Sequence, residues 1–322
     1  MGIAIEAKNL TKVFPPDIIA VNRISFAIKE GEIFSFLGPN GAGKTTTVRL
    51  LTTLLIPTSG SARINGHDIL KNPQELRKNM GVLTDRPNLY LRLSARKNLT
   101  FFAKMYGLTH EEAAQRIDEL AKQFNLLKRL DSPVGSYSKG MKQKLGILRA
   151  MIHSPPIMFL DEPTAGLDPL AQSSVRETIE QAAVDLDTTI FLTTHNLPEA
   201  EKLATKIGVI DKGILLTIGS TSELRSKVSK TSKLVITCKN KVSEYQKLIS
   251  DIDGVISTHI LEDDISIEID VDNINNTTPT VVKNLVDSGA SILEVRPIKK
   301  SLEDIYKHIM DFSNGGLSHD AA

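Results

Sequence analysis

The 322-residue sequence predicts an α/β domain built on a mixed sheet, followed by a smaller α+β domain. In the first domain, the stretch GPNGAGKTT at residues 38–46 lies between a predicted strand and a predicted helix at 46–55. Two more short apolar strands, at 157–160 and 189–194, each end in polar residues. Beyond residue 232, the predicted elements follow the order β-α-β-β-α-β, which favours a ferredoxin-like domain.

The stretch GPNGAGKTT fits the pattern G-x-x-x-x-G-K-[ST] of a phosphate-binding loop. Its glycines allow the backbone to curl so that N–H groups point inward, and the following helix adds the positive end of its dipole. Lys44 can reach the β- and γ-phosphates of a nucleotide, and the Thr45 hydroxyl can ligate Mg²⁺. A glycine-rich turn with a chance lysine is disfavoured by the strand and helix on either side. The candidate loop is Gly38, Pro39, Asn40, Gly41, Ala42, Gly43, Lys44, Thr45 and Thr46.

Two carboxylates, Asp161 and Glu162, directly follow the apolar run at 157–160. If the sheet is parallel, they lie at its carboxyl edge beside the phosphate loop. Asp161 would hold Mg²⁺, directly or through water, and Glu162 would orient or deprotonate an attacking water. An ordinary acidic turn is the weaker interpretation, because acids after a buried strand need a partner or an ion. His195 ends the strand at 189–194 and can reach a γ-phosphate from the same edge.

Composition limits the classes of partner. The chain has 39 Lys and Arg against 38 Asp and Glu, so no net field favours nucleic acid. The single cysteine, Cys238, excludes an internal disulfide and fits a reducing compartment. No window approaches 18 consecutive apolar residues, and the amino-terminal residues lack a secretory pattern. We therefore expect the chain neither to span a membrane nor to enter the secretory route by itself.

Two aromatic features have more than one interpretation. Residues 3–37 predict an antiparallel flap, in which Phe14 precedes two prolines. Phe14 could stack on an adenine ring, and simple packing explains it equally well. Tyr90, Phe101, Phe102 and Tyr106 crowd one stretch. Most of this cluster is expected to form the core of a helical subdomain, while part of it could line a groove for a partner's helix.

Five motifs, in one order, resemble the ATP-binding cassette of ABC transporters. They are GPNGAGKTT at 38, YSKGM at 137, IMFLDEP at 157, AGLD at 165 and TTHNLPEAE at 193. The resemblance covers about residues 3–219. It implies an α/β P-loop ATPase cassette with a mixed sheet core, an antiparallel flap and a helical subdomain, with ATP and Mg²⁺ as cofactors.

The resemblance also implies a dimer. In the family, two cassettes pair head to tail, and each ATP lies between the phosphate loop of one copy and the signature loop of the other. Ser138 and the Gly140 amide would thus touch the γ-phosphate of the nucleotide on the second copy. Asp168 resembles the residue that crosses the dimer seam. Glu162 and His195 match the general base and the γ-phosphate switch, and the reaction would be phosphoryl transfer to water.

This sequence departs from the family pattern at two places. The family's signature usually reads leucine, serine, glycine, glycine, glutamine. Here it reads Tyr137-Ser138-Lys139-Gly140-Met141, which keeps only the serine and the second glycine. Lys139 adds charge near phosphate in one interpretation and points to solvent in the other. Asp85 stands where the family has a glutamine that links Mg²⁺ to the membrane subunit. An aspartate can also ligate Mg²⁺, although it is shorter and charged.

The resemblance implies an ATPase subunit at the cytoplasmic face of the cell membrane. It would bind peripherally to a separate integral membrane permease and drive export, with no nucleic acid as partner. The alternative is a soluble cassette protein acting in nucleic-acid repair or translation, but no heptad run or basic charge supports it. A non-catalytic nucleotide-binding regulator is disfavoured by the pair Asp161-Glu162.

The predicted domain organisation has four parts. The cassette covers residues 1–219 and includes the helical subdomain at about 86–150. A polar linker at 220–232 leads to the ferredoxin-like domain at 233–312, in which alternating apolar residues mark one buried face. The last helix of that domain begins with a capping box formed by Ser301 and Asp304. Residues 313–322 are expected to be disordered.

Overall fold

A computed structural model describes residues 2–85, 87–185, 187–228, 232–298 and 301–315. The chain divides into two compact units, residues 1–221 and 222–322. The elements of the first unit are β1 (Ile3–Phe14), β2 (Ile18–Lys29), β3 (Ile33–Leu37), α1 (Lys44–Leu51), β4 (Ser59–Ile64), β5 (His67–Asp68), α2 (Pro73–Lys78), β6 (Met80–Leu83), α3 (Ala95–Met105), α4 (His110–Gln123), α5 (Lys139–Met151), β7 (Ile157–Asp161), α6 (Pro169–Asp185), β8 (Thr189–Thr194), α7 (Leu197–Leu203), β9 (Lys206–Asp211) and β10 (Ile214–Gly219).

The central sheet of the first unit has six strands in the order β10-β9-β3-β8-β7-β6. Every pair from β9 to β6 is parallel, and only β10 runs antiparallel, as the hairpin partner of β9. Strands β3, β7 and β8 are buried on both faces, which explains why they read as continuous apolar runs rather than as alternation. Because β3, β8 and β7 are parallel neighbours, their carboxyl ends meet at one edge of the sheet.

The two faces of this sheet belong to different cores. On one face, Met158 and Leu160 pack with the buried residues of α3 to α6, which form a helical lobe together with short 3-10 turns. On the other face, Phe159 packs with residues of α1 and of a second sheet, ordered β2-β1-β4-β5. Phe34 and Phe191 lie 5.5 Å apart between ring centroids in that core. Alternate residues of one strand thus fix both layers around the sheet.

The second unit has its own sheet and core. Its elements are α8 (Thr221–Val228), which begins one residue before the division, β11 (Ser232–Cys238), α9 (Gln246–Ser250), β12 (Val255–Ile260), β13 (Ser266–Val271), α10 (Ile274–Asp287), β14 (Ile292–Ile298) and α11 (Leu302–Gly315). The strands are antiparallel in the order β12-β13-β11-β14. This matches the β-α-β-β-α-β order predicted from the sequence. The capping box is present, since the Ser301 amide donates to Asp304 Oδ2 at 3.0 Å and the Ser301 hydroxyl accepts from the Asp304 amide at 3.1 Å.

Several predicted boundaries were wrong. The helix after the phosphate loop spans Lys44–Leu51 rather than 46–55, because Thr52 caps it and Thr53 takes a left-handed φ of 62°. Within the predicted polar linker at 220–232, α8 covers Thr221–Val228, and Leu224 is buried. Helix α11 continues to residue 315, so the first residues of the predicted disordered tail are helical. Residues 316–322 of that tail lie outside the described residues.

Candidate active site

The sheet brings three predicted segments to one edge. The phosphate loop follows β3, Asp161 ends β7, and His195 follows β8. Strand β8 lies between β3 and β7 and runs parallel to both. The condition attached to the acidic pair, that the sheet be parallel there, is therefore met. The side chains form two neighbouring groups. Lys44, Glu162 and His195 make one, and Thr45 with Asp161 makes the other.

The backbone of the phosphate loop explains its glycines. A Cβ at Gly38 would lie 2.2 Å from the carbonyl oxygen of Ile210 in β9, so no side chain fits there. Gly43 has a φ of 101°, and a Cβ there would lie 2.4 Å from the carbonyl oxygen of Ala20. Gly41 also has a left-handed φ but faces open space. The loop is thus held between the flap and the sheet, and α1 begins directly after it.

Lys44 is buried inside this loop, with 5% of its side chain exposed. Its Nζ donates to the carbonyl oxygens of Gly38 at 2.8 Å and Pro39 at 3.1 Å. A third contact, 3.1 Å long, joins Nζ to Glu162 Oε1. An ammonium group has three donors, and these contacts use all of them. A phosphate that binds Lys44 must therefore replace at least one of them.

Asp161 lies under the loop and is buried. Its Oδ1 accepts hydrogen bonds from Thr193 Oγ1 at 2.6 Å and from Thr45 Oγ1 at 3.2 Å. Burial raises the pKa of Asp161, the two threonine hydroxyls lower it, and the charges of Glu162 and Asp85 raise it further. This site accumulates negative charge around a hydroxyl and a carboxylate, which are the hard oxygen ligands that Mg²⁺ prefers.

Glu162 joins the lysine to the histidine. One carboxylate oxygen faces Lys44, and the other, Oε2, lies 2.7 Å from His195 Nδ1. Its backbone has a left-handed φ of 53°, and its amide donates to both the carbonyl and the hydroxyl of Thr193. This backbone conformation directs the side chain across the edge of the sheet. Glu162 is 17% exposed and His195 is 50% exposed, so the pair opens to solvent on the histidine side.

A buried acid that the sequence analysis missed supports His195. Glu199, on α7, accepts a hydrogen bond from Thr194 Oγ1 at 2.5 Å, and Thr194 in turn accepts from the Asn196 amide. Burial raises the pKa of Glu199, although hydrogen bonds from Thr194 and Thr164 lower it. Glu199 thus fixes the residues on both sides of His195. The signal available in the sequence was Asn196 as the N-cap of a helix with an acid in its first turn.

The predicted signature residues form a second cluster, at the start of α5. Ser138 is exposed and caps α5, accepting a hydrogen bond from the Met141 amide at 3.2 Å. Gly140 packs closely on α6, because a Cβ there would lie 2.8 Å from Ala171 Cβ. Lys139 does not point only to solvent, since its Nζ donates to the Gly166 carbonyl oxygen at 2.9 Å. Asp168 is exposed and accepts from the Ala171 amide at 3.0 Å.

The remaining predicted residues surround the loop. Asn40 is exposed, Ala42 is buried, and Pro39 and Thr46 are half-buried. Phe14, the last residue of β1, is half-buried and pairs with Ile18 of β2 at the tip of the flap. Strand β2 also carries Ala20, whose carbonyl oxygen lies close to Gly43. Lys12 Nζ lies 5.2 Å from the centre of the Phe14 ring. Asp85 is exposed, and its charge acts on Asp161.

Arg149 connects the segment that carries Asp85 to the aromatic cluster. This guanidinium donates to the carbonyl oxygens of Val82 at 3.1 Å and Pro87 at 2.6 Å. Its Cζ also lies 5.0 Å from the centre of the Phe102 ring. Burial lowers the pKa of Arg149. The aromatic cluster is only partly a core, because Tyr90, Phe101, Met105 and Tyr106 are exposed on the surface of the helical lobe.

The residues present fit one Mg²⁺ ion bound together with a nucleotide. Across the described ranges, no group of three or more His, Cys, Asp and Glu side chains could hold a metal ion by itself. Mg²⁺, however, commonly takes one or two protein oxygens and completes its shell with phosphates and water. Thr45 and Asp161, whose oxygens lie 3.2 Å apart, would be two such ligands.

Comparison with known proteins places this geometry in context. The family model for ABC transporters matches residues 21–165. The bacitracin transport ATP-binding protein BcrA of Bacillus licheniformis is 34% identical, over 95% of this chain and 97% of the relative. The daunorubicin/doxorubicin resistance ATP-binding protein DrrA of Streptomyces peucetius is 34% identical, over 94% of this chain and 91% of the relative. A solved dimeric structure of MJ0796, a bacterial ABC transporter cassette, matches with a TM-score of 0.62 at 25% identity, over 67% of this chain and 98% of that one.

Proposed function

Since the chain belongs to the ATP-binding subunits of ABC transporters, we propose that two copies close around two Mg-ATP and power export through a separate membrane subunit. The chain is an ATPase of transport rather than of nucleic-acid repair or translation. The observation that carries the proposal is the carboxylate of Glu162, which lies 3.1 Å from Lys44 Nζ and 2.7 Å from His195 Nδ1. A phosphate-binding cation, a base and a histidine thus share one edge of the sheet.

The chemistry assigned to each residue follows from its position. Lys44 binds the terminal phosphates after exchanging one of its present partners for a phosphate oxygen. Glu162 orients and deprotonates the water, and His195 holds the terminal phosphate from the exposed side. Thr45 and Asp161 would hold Mg²⁺, which when bound offsets the charge of the phosphates. Asp85 is a further candidate ligand for this ion, supported by its electrostatic effect on Asp161.

The dimer is supported by the second cluster. Ser138 and Asp168 are exposed, on two turns that are joined by the contact between Lys139 and Gly166. We infer that this face meets the phosphate loop of a second copy, where Ser138 and the Gly140 amide contact the terminal phosphate. The phosphate loop residues and Phe14 would hold the rest of the nucleotide, with the ring of Phe14 against adenine.

The membrane partner is proposed to bind the helical lobe. Among the described residues, none of the helices combines the length and the apolar character needed to cross a bilayer. The exposed side chains of Tyr90, Phe101, Met105 and Tyr106 offer an apolar surface for a helix of the permease, at the cytoplasmic face of the membrane. The smaller unit is proposed to be a ferredoxin-like accessory domain without catalytic residues.

The full chain, purified alone and with an integral membrane protein encoded beside it, tests this function. We expect ATP turnover that requires Mg²⁺ and rises with protein concentration faster than linearly, because each pocket needs a second copy. Co-purification with the membrane protein should be reduced by Phe101→Ala and retained by Val184→Ala, an exposed valine near the end of α6 and outside the aromatic surface. Turnover stimulated by nucleic acid and not by the membrane protein would contradict the proposal.

A further inference from the structure

The position of Lys139 calls for a physical explanation. It is the first residue of α5, directly after the N-cap Ser138. A cation in the first turn of a helix is disfavoured by the positive end of the helix dipole and by the amides that point outward there. The side chain is nonetheless not left in solvent. Its ammonium donates to the carbonyl oxygen of Gly166, 27 residues further along the chain, at 2.9 Å.

The turn that receives this ammonium is shaped to fit it. Gly166 is exposed and has a left-handed φ of 64°. A Cβ at this position would lie 2.4 Å from Lys139 Nζ, so any side chain there would displace the lysine. The same turn is held by hydrogen bonds from the Ala165 amide to the Glu162 carbonyl and from the Leu167 amide to the Thr164 carbonyl. The Lys139 contact therefore reaches a segment that starts at the candidate base.

A second, independent contact joins the same two segments. Gly140 allows the first turn of α5 to approach α6 so closely that a Cβ there would lie 2.8 Å from Ala171 Cβ. Ala171 belongs to the first turn of α6, which Asp168 stabilises by accepting from its amide. The starts of α5 and α6 are thus packed together, and the Lys139 hydrogen bond extends this packing to the turn before α6.

From these contacts we propose that Lys139 is a positioning residue, which ties the Ser136–Gly140 turn to the Ala165–Asp168 turn so that both meet a second copy as one rigid surface. The inference rests on the proposed function, in which both turns face that copy. Lys139 acts through Gly166 and not on its own subunit's nucleotide. Removing the ammonium should leave nucleotide binding by one copy unchanged and weaken association of two copies, because the two turns would then order separately.

The experiment uses the full chain carrying Glu162→Gln, with ATP and Mg²⁺. Dimer formation is followed by light scattering over a range of protein concentrations. Lys139→Met keeps the length of the side chain and should raise the concentration for half-dimerisation about threefold to tenfold, the range expected for one hydrogen bond. Lys139→Arg should stay within about twofold of the parent, because the donor is kept. The matched control, Lys128→Met, removes an exposed lysine of the same lobe and should change nothing.

Two further measurements separate positioning from a merely structural role. The affinity of the dilute, monomeric protein for ATP and its thermal midpoint should be equal in Lys139→Met and the parent. Dimerisation of Lys139→Met at the parent's concentration would overturn this inference alone. A parent that stays monomeric with ATP at every concentration would overturn the proposed dimer and this inference with it.

Discussion

Lys44 Nζ lies 3.1 Å from Glu162 Oε1, so the residue that should bind phosphate is paired with the residue that should activate water. The opposite oxygen of the same carboxylate lies 2.7 Å from His195 Nδ1. A phosphate on Lys44 must replace at least one of its three contacts, and if it replaces Glu162, nucleotide binding would release the proposed base in the same exchange. The effects of substitutions at these residues are therefore expected to be coupled.

Glu162→Gln should separate binding from turnover. The amide cannot accept a proton from water, so we expect hydrolysis to fall about a hundredfold to ten-thousandfold. The affinity for ATP should be retained or increased, because Lys44 loses its charged partner. Turnover and equilibrium nucleotide binding are measured on the same sample. Glu180→Gln, an exposed glutamate on α6, is the matched control, and unchanged turnover in Glu162→Gln would contradict the assignment.

Lys44→Met should weaken nucleotide binding. The variant loses the donor that reaches phosphate, and it leaves the Gly38 and Pro39 carbonyls without their present partner. We expect the affinity for ATP to fall about tenfold to a hundredfold, as for one charge-assisted hydrogen bond. Equilibrium binding measures this loss. Arg49→Met removes an exposed cation from the last turn of the same helix and should bind ATP like the parent.

Alanine substitutions in the loop should differ according to their surroundings. At Gly38 a Cβ meets the Ile210 carbonyl, which is backbone and cannot rotate away, so we expect a loss of about 3 kcal/mol in the free energy of unfolding. At Gly41 only the left-handed φ is disturbed, with a loss of about 1 kcal/mol. Urea unfolding of both variants checks this order. Equal losses in the free energy of unfolding for the two variants would show that the loop backbone moves away from the Ile210 carbonyl, contrary to this prediction.

His153 should make stability depend on pH. Its ring stacks on Tyr106 with centroids 3.6 Å apart, and burial lowers its pKa from 6.5 to about 4. Protons then bind the unfolded chain more tightly than the folded one. The resulting stability is fully present above about pH 6.5 and is lost as the pH falls towards 4.

The measurement is the free energy of unfolding against pH. His153→Phe keeps the stacked ring and should remove about 1 to 2 kcal/mol of this pH dependence, a figure that allows for partial exposure. His110→Gln, at an exposed position on α4, should keep the slope of the parent. If His153→Phe kept that slope as well, another group would have to carry the pH dependence.

The parts of the site that could be predicted depend on short stretches of chain. A strand that is buried on both faces of its sheet is a continuous apolar run in the sequence, so the positions of Asp161 and His195 could be predicted from the residues just before them. The contacts that organise the site cannot be predicted from neighbouring residues in this way. Gly166 accepts from a lysine 27 residues away, and Glu199 supports His195 through the hydroxyl of Thr194. Such partners are set by packing between elements, which no local pattern encodes.

The hydrogen bonds of Arg149 determine what holds the segment around Asp85. Arg149 belongs to α5, and it holds carbonyl oxygens on either side of Asp85, at Val82 and Pro87. Val82 lies in β6, the last strand of the central sheet, so one guanidinium joins the helical lobe both to the sheet and to the stretch that follows β6. Loss of this one side chain would release both attachments of that stretch together.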